Sequence, residues 1–273
     1  MADQHASRDP ISRAHLTGRS HPTPPIHRYP AGSGLEDFVE RYWIPVWDVA
    51  EPQSQKTLQY PVCLIVVSNS YARFYGTVRG MSTVTLEATG WAVGAMLRPA
   101  AGRLVWGRPV SDLTDRFVDL SEVQSLESRR LVPAVRALMD RDPDDPDNHA
   151  AAIAEVERSL RAMLPVDAQG RLINDVIAWL RDHPEVTRVS EICDAFDLGE
   201  RALQRLTLDR VGLSPKWLIQ RRRLHDAVER LKAGATTVGE VAADLGYADQ
   251  AHFTHDFRTV TGMTPGAFLA DQF

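Results

Sequence analysis

The stretch that decides the fold lies near the C-terminus and reads Val241-Ala-Ala-Asp-Leu-Gly-Tyr-Ala-Asp-Gln-Ala-His-Phe-Thr-His-Asp-Phe-Arg-Thr-Val-Thr-Gly-Met-Thr-Pro265. Val238, Val241, Ala242 and Leu245 recur at three-to-four spacing, which places them on one apolar face of a helix. Gly246 follows, and a residue without a Cβ ends a helix in the left-handed region at no steric cost. Phe253, Phe257 and Val260 then give a second helix its buried face. The stretch closes with Gly262, an apolar residue, Thr264 and Pro265, an N-cap and first-turn pair that starts another helix. The unit is helix, turn, helix.

The same unit occurs again upstream. Glu191-Ile192-Cys193 matches Glu240-Val241-Ala242 at an offset of 49, whereas Leu203 matches Phe253, Gly212 matches Gly262 and Ser214-Pro215 matches Thr264-Pro265 at an offset of 50. One residue is therefore inserted around Asp197 and Gly246, where a turn tolerates a change of length. The first copy buries Ile192, Cys193, Phe196, Leu203 and Leu206, and it turns at Asp197, a residue type that enters the left-handed region more readily than most.

These residues resemble the AraC-type (AraC/XylS) transcription regulators. The stretch quoted above follows that family's signature. Leu203-Gln-Arg-Leu206 and Val211-Gly-Leu-Ser-Pro-Lys-Trp-Leu-Ile-Gln-Arg-Arg-Arg-Leu-His-Asp-Ala227 are similar to its first helix-turn-helix and to the long helix that joins the two. Upstream, Gly94-Ala-Met-Leu-Arg-Pro99 and Arg108-Pro-Val-Ser-Asp-Leu-Thr-Asp-Arg-Phe-Val-Asp-Leu120 resemble a β-rich, distantly cupin-like domain found ahead of some such regulators. The resemblance implies a sequence-specific regulator that binds double-stranded DNA and answers to a small-molecule effector. It allows RNA polymerase and a second copy of the chain as further partners.

In a helix-turn-helix the second helix enters the major groove and its outer face meets bases or phosphates. With Leu203 and Leu206 in the core, Arg201, Ala202, Gln204 and Arg205 remain outside, and Arg and Gln are the usual readers of guanine and adenine. With Phe253 and Phe257 inside, the second module presents Gln250, Ala251, Thr254, His255 and Arg258. This face is weaker, since the family commonly has Arg where His255 stands, and Asp256 adds a charge that repels phosphate. Lys216, Arg221 and Arg222 are candidate phosphate contacts, although the run from Arg221 to Arg223 fits a solvated helix face equally well, with Arg223 tied between the modules. Residues 166–273 hold 13 Lys+Arg against 16 Asp+Glu, so nonspecific electrostatic affinity is expected to be modest.

Ahead of the repeat, residues 1–27 are rich in proline and poor in clustered apolar residues, and read as a flexible arm. Short runs rich in Val, Ile, Thr, Tyr and Trp follow at 38–49, 59–68, 71–75, 81–87 and 91–97, with Asn69-Ser70 as a tight connection, and predict an antiparallel barrel or sandwich. Three-to-four spacing at Leu126, Leu131, Val135, Leu138 and Met139, and again at Ile153, Val156, Leu160, Met163 and Leu164, predicts two connecting helices. The fold expected is α+β: the arm at 1–27, a β-rich domain for sensing or dimerisation at 28–122, a helical connector at 123–165 and an all-α DNA-binding domain at 166–273.

Composition excludes several other classes. The chain of 273 residues carries a formal charge of −5 with two cysteines, Cys63 and Cys193, which rules out a disulfide-stapled or cysteine-rich zinc scaffold and points to the cytoplasm. Both thiols fall on apolar patterns and read as core. The longest uncharged apolar run, residues 91–97, is far short of a transmembrane span, and the first residues lack the apolar region of a signal peptide. No His lies between Arg28 and Asn148, so the histidine set of a cupin metal enzyme is missing. His252 and His255 lack a third ligand, so no metal is expected; no cofactor loop or catalytic grouping is found, and no catalytic residue is assigned. Trp43, Trp47, Tyr60, Trp91 and Trp106 fit either an effector pocket or plain core, core being the commoner use of such residues. Two other readings stay open: an interaction module with degenerate DNA binding, and a small-molecule-binding cupin-like enzyme.

Overall fold

The computed structural model describes residues 24–234 and 237–272. Most of the arm expected at 1–27 lies outside the described residues. Its end is not an arm: Ile26–Tyr29 forms β1, paired antiparallel with β2 so that Ile26 faces Pro45 and Tyr29 faces Tyr42.

The N-terminal half is a six-stranded antiparallel sheet, in the order β1-β2-β5-β3-β4-β6. Its strands are β1, β2 (Val39–Thr57), β3 (Leu64–Ser68), β4 (Ala72–Tyr75), β5 (Ser82–Leu97) and β6 (Phe117–Asp119). The two runs expected at 81–87 and 91–97 form the single strand β5, because Ala88 takes φ 49° and stays paired with Val49 instead of turning the chain. β2 likewise runs on to Thr57, past Pro52, which falls in the register shift between Val49 and Gln53, where a ladder donor is not required. The run expected at 59–68 begins only at Leu64. Residues 59–63 leave the sheet.

Alternation sorts the two faces. Tyr42, Ile44, Ile65, Val67, Phe74, Val93, Ala95 and Leu97 pack into the main core with helices α1 (Pro99–Trp106), α2 (Ser128–Met139) and α3 (Pro146–Arg161). Trp91 joins this core and donates from Nε1 to Asp140 at 3.1 Å, and Trp106 packs at its edge. On the opposite face Leu64, Val66 and Ala92 gather Trp43, Trp47, Tyr60, Tyr71, Tyr75 and Met96. Trp47 and Trp43 lie across their cross-strand partners Gly90 and Gly94, where any Cβ would come within 2.4 and 2.3 Å of ring carbons. Of these elements α1 was not expected, although Pro99 at its first turn and Gly107 at φ 76° just past its end are ordinary start and stop signals.

The C-terminal half is helical: α4 (Ala168–Asp182), α5 (Val189–Phe196), α6 (Glu200–Arg210), α7 (Pro215–Ala233), α8 (Val238–Asp244), α9 (Gln250–Thr261) and α10 (Pro265–Gln272). It has two cores. Ile173, Val176 and Leu180 of α4 meet Ile192, Cys193, Leu203 and Leu206, and Leu218 and Ile219 from the start of α7 complete this set. Leu224, Val228 and Leu231 from the end of α7 meet Val241, Ala242, Phe253, Phe257 and Phe268. One helix thus supplies a wall to each module. Both cysteines are buried, and burial pushes the Cys63 thiol up to about 12. Among the described residues no helix is long and apolar enough to cross a membrane.

Candidate nucleic-acid interface

The two turns differ as the offsets require. Helix α5 ends at Asp197 with φ 50° and ψ 48°, and α8 is followed by Gly246 with φ 71°. The next helices begin at Glu200 and Gln250, so the inserted residue lies within 247–249. It changes the cap. Gly199 offers α6 no side chain, whereas the Asp249 carboxylate accepts from the His252 amide at 2.7 Å.

Burial separates the faces of α6. Leu203 and Leu206 are buried, while Arg201, Gln204 and Arg205 are exposed and Ala202 is half-buried. In α9, Phe253, Phe257 and Val260 are buried, Gln250, Ala251, His255 and Arg258 are exposed, and Thr254 is half-buried. Asp256 is not on this outer face: its side chain is mostly covered and lies 3.8 Å from His252 Nε2. Lys216, in the first turn of α7, is exposed. Among the described residues no group of three His, Cys, Asp or Glu could hold a metal.

The three consecutive arginines of α7 each serve a different body. Arg221, only 1% exposed, donates from Nε and Nη2 to the Gln59 carbonyl at 3.0 and 2.7 Å and from Nη1 and Nη2 to the carbonyls of Arg79 and Gly80. Burial pushes its pKa down to about 9, with Asp115 and Tyr60 acting the other way, so it stays cationic at neutral pH. Arg222 donates to the Val186 carbonyl at 2.7 Å, ahead of the first module. Arg223 lies 3.7 Å over the ring of Tyr247 in the second. The expectation that Arg221 and Arg222 touch phosphate is therefore corrected: both head groups are covered by the protein, Arg221 facing main-chain carbonyls and Arg222 facing the Val186 carbonyl and, at 3.5 Å, the Asp226 carboxylate.

The β-domain also grips the C-terminal end of α6. Thr77 donates to the Val211 carbonyl and Thr114 to the Gly212 carbonyl, each at 2.7 Å, and Arg103 Nε meets Asp209 at 3.1 Å. Its contact with the second module is apolar, through Leu58 in that core and Met81 against it. Arg210, inside the first module, donates to Asp167 at 2.6 Å. Burial opposes the charge on Asp167, yet the bonds from Arg210 and the Gly170 amide prevail and hold its carboxyl below the usual range. Sequence reasoning found none of these ties, because a hydroxyl or guanidinium aimed at a distant carbonyl leaves no periodic signal.

Residues 192–271 match the family described as "Helix-turn-helix domain", and residues 27–119 match "Domain of unknown function (DUF6597)". The HTH-type transcriptional activator RhaS of Escherichia fergusonii is 36% identical over 94 residues, which is 34% of this chain and 34% of that protein. RhaS of Citrobacter koseri is 33% identical over the same length and shares of both chains. The chain thus spans about a third of the length of these curated relatives. A crystal structure of apo ToxT from Vibrio cholerae strain SCE256 aligns with 90% of this chain and 100% of its own, at a TM-score of 0.42 and 11% identity. Residues 192–271 of this chain are thus similar to a helix-turn-helix domain.

Proposed function

We propose that the chain is a sequence-specific DNA-binding transcription regulator. The observation that carries this reading is the segregation of faces on α6, with leucines sealed inside and Arg201, Gln204 and Arg205 outside. Arg205 and Arg201 suit guanine or phosphate, and Gln204 suits adenine. Gln250, Ala251, Thr254, His255 and Arg258 form the second reading face, and Lys216 is the remaining phosphate contact of the three expected. Helix α7 holds the recognition helices on successive major grooves about 34 Å apart.

In this reading residues 166–273 bind DNA, and the β-domain at 28–122 with its connector at 123–165 senses an effector or dimerises. The protein works in the cytoplasm, meets RNA polymerase at its promoters and performs no catalysis. Selection of genomic fragments by the full chain, followed by footprinting, tests it. A single sequence motif protected over two adjacent major grooves is expected, and equal retention of all fragments sinks the reading.

A further inference from the structure

We infer that the outer edge of β5 at residues 82–87 pairs antiparallel with the same edge of a second copy of this chain. This deepens the reading of the β-domain as a sensing or dimerising unit and rests on the regulator reading only where DNA enters. Strand β5 has β3 on its outer side only from Ala92 to Met96, and β2 has β1 only from Tyr42 to Pro45. Past these, residues 47–57 and 82–90 run on as a two-stranded ribbon that ends at the pair Thr57 and Ser82. Among the described residues neither outer edge of this ribbon has a ladder partner. A ribbon of two strands is marginal in water.

The two edges are built differently. The β2 edge carries Asp48, Glu51, Pro52 and Lys56 and a register shift between Val49 and Gln53; charges, proline and irregular pairing are what keep an edge from recruiting another strand. The facing edge, Ser82-Thr-Val-Thr-Leu86, has no charge and no proline, and its register is regular. Thr83, Val84 and Thr85 are all exposed, and since successive residues point to opposite faces, both faces are open to solvent there. Val84, 39% exposed, is one of two large apolar residues left exposed among the described residues. Three β-branched residues in a row suit a strand. The remaining outer edges, β1 and β6, are only four and three residues long.

Complementarity selects a second copy as the occupant. Antiparallel strands related by a two-fold axis normal to the sheet keep their faces, so only residues of like facing meet. With the axis at Thr85, Val84 meets the copy's Leu86 on one face. On the other, Thr85 meets the copy's Thr85 and Thr83 meets the copy's Glu87. Lys56 is the cross-strand neighbour of Thr83 on β2, so Lys56 and the copy's Glu87 flank Thr83 about 10 Å apart at the backbone. Their side chains are long and opposite in charge, and the arrangement occurs twice in the pair. Directly opposite positions carry no like charges. The ribbon also reaches the DNA-binding half: Leu58 and Met81, just past its end, pack in the second module. Pairing stiffens the strut that seats α9, and whatever this does to operator affinity, DNA does in return to pairing.

Sedimentation equilibrium of the full chain is the test. The parent should pass from monomer to dimer over roughly 1 to 100 μM, as a short interface allows. Thr85→Lys and Thr85→Glu each set like charges against each other at the axis and should weaken association at least about tenfold. Both alter an exposed side chain and should melt like the parent. Mixed in equal amounts, they should associate again at the parental strength or better. A parent still monomeric at the top of that range, single variants that dimerise like the parent, or folded variants that stay apart when mixed, each overturns the pairing. Thr85→Cys gives a second measure. Both native thiols are buried, so oxidation should link two chains through position 85 but not through Thr83→Cys, which this register sets about 13 Å from its own copy. Linkage at both positions or at neither overturns the register. Operator binding is measured alongside: a chain that dimerises but binds no DNA keeps the pairing and loses the regulator reading, and one that binds DNA but never dimerises loses the pairing alone.

Discussion

The two helix-turn-helix modules share a frame and differ in almost everything attached to it. Each buries an apolar helix face against one half of α7 and turns through a left-handed residue. The first presents Arg201, Gln204 and Arg205, starts its recognition helix at the uncapped Gly199, and has the far end of that helix bonded to Thr77, Thr114 and Arg103 of the β-domain. The second presents Gln250, Thr254 and His255, is capped by Asp249, and meets the β-domain through apolar contact alone among the interactions described. A core fixes only which positions must be apolar, so the outer face and the attachments are free to diverge. The first module is held by polar bonds, which are directional. The second is held by packing, which tolerates sliding.

The cores should be equal where the surfaces are not, which sets the largest expected effect. Leu203→Ala and Phe253→Ala each remove a side chain with no exposed surface, at about 2 to 5 and 3 to 5 kcal/mol respectively. Because α7 walls both cores, denaturant unfolding followed by circular dichroism should show one transition in each variant. Two separated transitions would mean that the modules are independent and that the shared helix does not couple them.

The reading faces come next. Arg205→Ala should leave melting nearly unchanged and reduce specific DNA affinity by about 1 to 3 kcal/mol if it grips a guanine. His255→Ala should cost less than Arg205→Ala, since an imidazole offers fewer donors than a guanidinium. Anisotropy titrations on one operator at several salt concentrations read both, and they separate a base contact from a phosphate contact by the change in salt slope. If His255→Ala costs more, the ranking of the modules is reversed.

Between the modules lies His225, on the stretch of α7 that belongs to both. Burial, reinforced by the neighbouring Arg221 charge, pushes its pKa down to about 3. The folded protein keeps this imidazole neutral while the unfolded chain takes up a proton near pH 6.5, so stability falls as pH drops below that value. At pH 5 the loss is roughly 2 kcal/mol. His225→Phe retains a ring against Tyr60 and should not show this loss; stabilities of parent and variant at pH 7 and pH 5 give the difference. Parallel falls in the two proteins would place the acid sensitivity elsewhere.

What the sequence reveals here follows what leaves a period. The faces of α6 and α9, the turn residues and the N-caps at Ser214 and Thr264 all rest on short-range spacing, and each stands where spacing places it. The triplet Arg221, Arg222, Arg223 shows the boundary. Successive residues on a helix point about 100° apart, so three in a row cannot share one phosphate-facing surface. Their destinations, a carbonyl cluster, the approach to α5 and an aromatic ring, depend on tertiary placement that no local pattern encodes. Strand β5 failed for the opposite reason. Ala88-Thr89-Gly90 has turn composition, but pairing with β2 on both sides of it outweighs local preference.

The smallest expected effect concerns the turns themselves. Gly246 and Asp197 both occupy the left-handed region, at φ 71° and φ 50°. A Cβ at Gly246 would come 3.4 Å from the Thr187 methyl carbon, within ordinary contact, so the penalty for Gly246→Ala comes from the backbone and amounts to about 1 kcal/mol. Asp197→Gly relieves a similar backbone penalty, but it also frees the unfolded chain, whose added entropy opposes the gain. The two terms nearly cancel, and the variant should lie within about 0.5 kcal/mol of the parent. Both substitutions sit at the bend that aims a recognition helix, so operator affinity is measured with stability. Loss of affinity in Asp197→Gly at unchanged stability would show that the aspartate fixes the angle of α6, a task that Gly246 leaves to the longer, capped turn of the second module.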